Sequence, residues 1–279
     1  MQAELIALVL VAAFLHGIWG AAGRASRDPA MAAVVGMLLP ALIAAGLARV
    51  VTAPASEAWP WMAASIGLHL GYILSLLLAW RFLALTVAYP IARAGAVPAA
   101  AAAGLLWLDL PLPATAMAGI GAIAMGLAVL GASRAVLTTR GFAGAAVALL
   151  AAVFLGGATA MDFVGLHRAQ STLGYIVWIN LLEGAAILLL AVLARGRRVL
   201  ALPWRELPLQ ILCGLCVGAS YAMVLWALSL APLAPVAALR ETQALVAALF
   251  AAAFLNEKLD ARRIAACVLV VSGLVAVSL

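Results

Sequence analysis

Ten stretches of mostly apolar residues, each close to 20 long and divided by short polar breaks, run the length of this chain. An α-helix needs about 20 apolar residues to cross the hydrocarbon of a bilayer, so ten spans use about 200 positions. In a chain of 279 residues that leaves short loops and no room for a soluble domain. The spans predicted from hydropathy are roughly 3–23, 30–51, 59–80, 84–107, 113–131, 142–162, 173–194, 207–228, 234–255 and 263–279. Lipid offers the backbone no hydrogen-bond partner, and the weak alternation of barrel strands is missing, so the segments must be helices. The expected fold is an all-α integral membrane protein with ten transmembrane helices.

Charge agrees with that layout. Only 9% of residues are charged and 68% are hydrophobic, whereas soluble domains carry about a quarter charged residues. The formal charge of +6 comes from arginine, since Lys258 is the one lysine. Loops after the odd-numbered spans hold Arg24, Arg27, Arg81, Arg134, Arg140, Arg195, Arg197, Arg198, Arg205, Lys258, Arg262 and Arg263. The opposite face holds Arg49 and Arg168. By the positive-inside rule the first set is cytoplasmic and both termini lie outside. The basic residues form no continuous stripe, so nucleic acid is not an expected partner. Cys213 and Cys216 lie within one apolar helix and read as small buried residues rather than a redox or metal pair. The first apolar stretch has no basic residue before it and is too long for a secretory signal, so it is read as the first span.

Two further arginines fall inside spans, Arg93 in Ala88-Tyr89-Pro90-Ile91-Ala92-Arg93 and Arg240 in Val236-Ala237-Ala238-Leu239-Arg240. Each is followed 33 residues on by a glycine, Gly126 and Gly273, and each follows a span carrying a tyrosine, Tyr72 and Tyr221. A guanidinium at mid-membrane costs at least about 2.5–3.5 kcal/mol on insertion scales, so it normally faces a polar cavity or a partner. The same costly residue at matching places points to a duplication. With five spans in each half, the second half enters the membrane upside down relative to the first. The expected organisation is two inverted five-helix repeats, 1–132 and 142–279, with a site near the midplane between them.

Several stretches resemble a known family. Tyr89-Pro90-Ile91-Ala92-Arg93, Leu239-Arg240-Glu241-Thr242, Leu255-Asn256-Glu257-Lys258 and Ser272-Gly273-Leu274 are similar to EamA-type repeats of the drug/metabolite transporter superfamily. Leu15-His16-Gly17-Ile18-Trp19-Gly20 resembles the family's His-Ala-x-Trp-Asn opening, with Gly20 in place of asparagine. Asp109 stands where the first repeat usually has glutamate, and Asp162-Phe163-Val164-Gly165 is similar to a D-x-x-G of one bacterial branch. The resemblance covers nearly the whole chain. It implies ten helices, an inverted repeat and alternating access by small polar metabolites, with export as the family's habit.

The candidate substrate-binding residues are Arg93, Arg240, Glu183, Glu241, Tyr89, Tyr72, Tyr221, Trp19, His16, Asn180 and Trp226. A guanidinium offers a fork of donors that suits a carboxylate or phosphonate, and the aromatic residues give apolar faces with a polar edge. The arginines could instead be structural, each paired with Glu241, Glu183 or Asp162. Glu241 adjoins Arg240 but points about a quarter-turn away, so those two need not pair. Glu183, Asp162 and Glu241 are the proton-coupling candidates, since a mid-membrane carboxylate must either hold a proton or meet a cation. Asp162 is expected close to a span end and His167 in a loop. His69 reads as a hydrogen-bonded helix residue. Trp59, Trp61, Trp80, Trp107 and Trp204 fit the interfacial belt.

Nothing suggests a metal, a cofactor or a phosphate-binding loop, and the chain does not read as an enzyme. The expected protein is a multi-pass transporter of the bacterial inner membrane for a small polar metabolite, an amino acid or another solute bearing a carboxylate or phosphonate. Protons are the candidate coupling ion, the lipid bilayer is the solvent, and the protein is a monomer or loose homodimer. The rival readings are an exporter of cationic drugs or quaternary amines centred on Glu183, and a membrane-embedded enzyme acting on lipid.

Overall fold

The computed structural model describes residues 1–25, 29–83, 85–132, 134–196, 206–243, 246 and 261–278. Among them lie ten α-helices and no strand. They are α1 (Ala3–Ala25), α2 (Pro29–Leu47), α3 (Trp59–Ala79), α4 (Leu85–Trp107), α5 (Ala114–Gly131), α6 (Thr139–Arg168), α7 (Thr172–Arg195), α8 (Leu207–Leu228), α9 (Leu233–Arg240) and α10 (Ala261–Ser278). The expected span 234–255 runs past the described part of α9. Lys258, Trp204, Arg27, Arg197, Arg198 and Arg205 also lie outside the described residues.

Local chemistry sets the ends. Pro113 and Pro232 occupy the N-cap positions of α5 and α9, where a missing N–H costs nothing. Ser171 and Thr138 cap α7 and α6 with hydroxyl oxygens that accept from Gly174 N and Gly141 N, each at 3.0 Å. Between α6 and α7 the chain turns through Gln170, whose φ of 55° lies in the left-handed region.

Helix α6 corrects the sequence reading. It runs 30 residues to Arg168, so Asp162 is inside a helix and buried rather than at a span end. His167 is exposed in its last turn, with Nδ1 2.8 Å from Phe163 O. The polar stretch after Met161 lowers hydropathy without breaking the helix, because no proline or helix-ending glycine interrupts it.

Four helical segments are long and apolar enough to cross a membrane: Ser56–Ala79, Thr139–Arg168, Thr172–Ala194 and Leu207–Leu228. Shorter apolar helices accompany them. Large aliphatic and aromatic residues such as Leu42, Leu106, Phe142 and Leu193 face outward. An apolar exterior of this extent is stable in lipid rather than water.

Many of the helix pairings recur when each helix is exchanged with the one five places on. α1 packs on α8 as α6 packs on α3; α4 on α6 as α9 on α1; α4 on α5 as α9 on α10. The pairs α2–α7, α4–α9 and α5–α10 map onto themselves. Close approaches repeat as well. A Cβ at Gly119 would sit 2.6 Å from Gly273 O, and one at Gly126 2.7 Å from Ala266 O. Moving along the chain by the interval from Arg93 to Arg240 turns Gly119 into Ala266 and Gly126 into Gly273. Likewise Gly17 of α1 abuts Val246 and Gly156 of α6 abuts Ala99, each at 2.6 Å from an added Cβ. Val246 and Ala99 stand at that same interval. Small residues at these crossings let backbones touch, which drives helix association in lipid.

Candidate functional site

Arg93 is fully buried on α4, a helix that contains Pro90 and Pro98. Its guanidinium forms a two-pronged ion pair with Glu241 at the end of α9, Nε donating to Oε2 at 2.8 Å and Nη2 to Oε1. Gln243, with its amide oxygen turned to the guanidinium, accepts from Arg93 Nε at 3.1 Å, while its amide nitrogen donates to His16 Nε2 at 3.2 Å. His16 in turn meets Trp19 edge-on, with ring centroids 4.9 Å apart. One network thus joins α4, the α9 region and α1.

Arg240 is also buried, but its situation differs. No ion pair to it is found among the described residues, and its Nε is buried without a hydrogen-bond partner among them. Advancing Ala94 and Ala96 by the Arg93-to-Arg240 interval gives Glu241 and Gln243. Both polar partners of Arg93 come from the second half of the chain, whereas the positions one such interval before them are alanines.

Both guanidinium groups line one hollow, together with Thr159, Glu241 and small or aliphatic residues of α4, α6 and α9. It has about 10 Å³ of room for a water's centre, enough for about one water molecule. Thr159 donates to Leu155 O at 3.0 Å, leaving its oxygen lone pairs free to accept from a guest.

One turn along α6, Asp162 begins a second polar cluster. Its Oδ1 accepts from Tyr175 OH on α7 at 3.1 Å, and its Oδ2 from Tyr221 OH on α8 at 2.9 Å. Ser65 on α3 approaches the same carboxylate, and its hydroxyl lies 3.4 Å from His69 Nδ1. His69 packs edge-on against Tyr221, centroids 5.6 Å apart. Glu183 on α7 is buried, with no hydrogen bond to a described residue, within electrostatic reach of Asp162 and Arg240.

Of the expected residues, Arg93, Glu241, His16, Trp19, Arg240, Glu183, Asp162 and Tyr221 are thus brought to the interior. Tyr72 and Tyr89 flank Arg93 and are part-buried against Leu76, Ala92 and Ala151. Asn180 is half-buried and donates to Ile176 O on its own helix at 2.8 Å. Trp226 is 44% exposed and belongs to the outer surface, so it does not join the cluster. The expectation that Glu241 need not pair with Arg240 meets a definite outcome, since its partner is Arg93. Gln243, Tyr175, Ser65 and Thr159 were missed. Gln243 closes a polar run, Arg240-Glu241-Thr242-Gln243, that stands out within an apolar span. The other three carry no such signal. Among the described residues no group of His, Cys, Asp and Glu could hold a metal, and Cys213 and Cys216 are free thiols.

Residues 142–279 match the EamA-like transporter family. Through this half the chain belongs to that family. The EamA family comprises membrane transporters of drug/metabolite type rather than enzymes, and the apolar helices make this EamA protein a multi-pass membrane protein. A solved structure titled "Crystal structure of protein" aligns with a TM-score of 0.78 over 99% of this chain and 96% of that one, at 18% identity. That likeness carries the fold alone. No curated protein matches the sequence.

Proposed function

We propose that this EamA protein carries a small polar metabolite with an anionic group across a bacterial inner membrane, and that Arg240 binds that group. The observation that carries the reading is the buried Arg240 guanidinium, lining a hollow with no acceptor at its Nε among the described residues. An unpaired buried cation is costly, and a bound carboxylate or phosphonate would satisfy it bidentately. Arg93, already held by Glu241 and Gln243, acts as an anchor between the halves rather than as the second arm of a clamp.

Alternating access between inverted repeats 1–132 and 142–279 is the mechanism proposed. The exchangeable helix packing and the matched glycine crossings support it, as does the span of the family match. A hollow with room for one water is a closed state, so a metabolite enters only when α4 and α9 part. Export is the direction that the family resemblance implies.

The test is thermal unfolding of detergent-purified protein in the presence of amino acids, organic acids, phosphonates and quaternary amines. An anionic-group solute should stabilise the wild type, and Arg240→Ala should abolish that stabilisation. Stabilisation by quaternary amines alone, or anion stabilisation that survives Arg240→Ala, rules the reading out. The cationic-drug alternative draws support from one observation: the described buried carboxylates, Asp162, Glu183 and Glu241, outnumber the two buried guanidinium groups.

A further inference from the structure

One corner of the molecule is basic and stands apart from the buried cluster. The turn after α3 packs directly on the start of α6: a Cβ added at Gly144 would lie 2.7 Å from Phe82 Cβ and 2.8 Å from Leu83 Cγ. Arg140, in the first turn of α6, donates from Nη2 to the Arg81 carbonyl at 2.9 Å. The short turn Arg134–Leu137 leads into the same end of α6, and its Val136 packs against the cluster of Ala79, Leu83 and Ala148. Arg81, Arg134 and Arg140 are thus gathered where three segments meet, and all three are exposed. By the positive-inside rule this corner faces the cytoplasm.

Nothing in the surrounding sequence balances that charge. No acidic residue occurs between Glu57 and Asp109 or between Asp109 and Asp162, and among the described residues no ion pair involves these arginines. The first turn of α6 adds the positive end of a 30-residue helix. The fold itself does not ask for arginine here. In the repeat-related corner, the α8–α9 turn and the start of α1 pack through Leu228, Leu233, Met1 and Leu5. That corner carries Glu4 and no arginine. Apolar groups flank the basic ones: Phe82 is 36% exposed, Phe142 71% and Leu137 85%. Such a mixture suits the boundary between headgroups and acyl chains better than a soluble acidic partner.

We infer that this corner binds an anionic phospholipid of the cytoplasmic leaflet. The guanidinium groups of Arg81, Arg134 and Arg140 meet the headgroup phosphate, while the acyl chains lie along Leu137 and Phe142. Basic pockets between helix ends on the cytoplasmic side are where such headgroups are held. The bound lipid ties the α3–α4 turn to the start of α6 at the membrane surface. The site is separate from the Arg240 hollow, so its test leaves the solute reading untouched.

The experiment is lipid binding to the full chain in detergent, read by native mass spectrometry and by thermal unfolding. The probes are short-chain phosphatidylglycerol, short-chain phosphatidylcholine, inorganic phosphate and a polyglutamate peptide. Phosphatidylglycerol should bind at least about tenfold more tightly than phosphatidylcholine, and neither phosphate nor polyglutamate should displace it. Arg81→Gln, Arg134→Gln and Arg140→Gln should each weaken its binding about fivefold, which corresponds to about 1 kcal/mol per arginine at a membrane surface. The triple variant should no longer distinguish the two lipids. Arg49→Gln and Arg168→Gln, exposed arginines of the opposite face, should change nothing. Equal binding of both lipids, a preference that survives in the triple variant, or the same loss from Arg49→Gln overturns the inference. Displacement by phosphate would make the corner a free-anion site, and displacement by polyglutamate a protein-docking surface; either result overturns it too. Should the triple variant not insert, the single variants decide, and no loss in any of them overturns the inference.

Discussion

Removing the Arg93 guanidinium leaves the Glu241 carboxylate buried without the cation that meets it through two contacts. Arg93→Ala should therefore cost about 3–5 kcal/mol, seen as a large drop in the unfolding temperature of the detergent-purified protein. Replacing both partners with methionine should cost distinctly less, because no orphaned charge remains. Trp226→Ala, on the outer surface, should leave solute binding as it was. At this scale the sequence was informative about the arginines, whose insertion cost marks them wherever they occur in an apolar span. It offered Glu241, Glu183 and Asp162 as partners but not which arginine takes which. Glu241 stands next to Arg240 in the chain yet serves Arg93 across the molecule, and adjacency on a helix says nothing of what packs against the other side. Tyr175 and Ser65 were hidden for the same reason: each matters only because α6 brings Asp162 to it.

Helices were legible wherever an apolar run ended in a strong break. The starts at Pro113, Ser171 and Pro232 were visible in composition, and the spans 84–107 and 207–228 agree with α4 and α8 to within a residue. The reading failed at α6. Asp162, His167 and Arg168 lower local hydropathy, and a hydropathy window cannot distinguish a polar helix end from a loop. Crossing points offer a sharper check on packing. On α5 an added Cβ at Gly119 would meet the Gly273 carbonyl, whereas at Gly121 it would meet open space. Gly119→Leu should lower stability by about 1–3 kcal/mol or more, the usual cost of overpacking. Gly121→Leu should change it by about 0.5 kcal/mol or less, as outward substitutions generally do. Equal effects in the two variants would mean that α5 and α10 do not cross at these glycines.

Across the whole molecule, the spacing of arginines and glycines points to a duplicated architecture, and the recurring pairings of α1–α5 with α6–α10 are what such a duplication would build. Its inverted sense depends on an odd number of crossings per half. If that count is right, reporters fused to the two termini should both read as extracytoplasmic. A reporter placed in the Arg134–Leu137 turn should read as cytoplasmic. Termini on opposite faces would remove a span from the count and, with it, the inversion.

The alanines that stand one Arg93-to-Arg240 interval before Glu241 and Gln243 carry a final consequence. Copying the first arginine's surroundings faithfully onto the second would have produced a molecule permanently occupied by its own side chain. Ala94→Glu should recreate that occupant: an internal ligand that raises the unfolding temperature without added solute and makes the protein deaf to every solute the wild type recognises. On that reading, a short side chain at position 94 spares the wild type such an occupant.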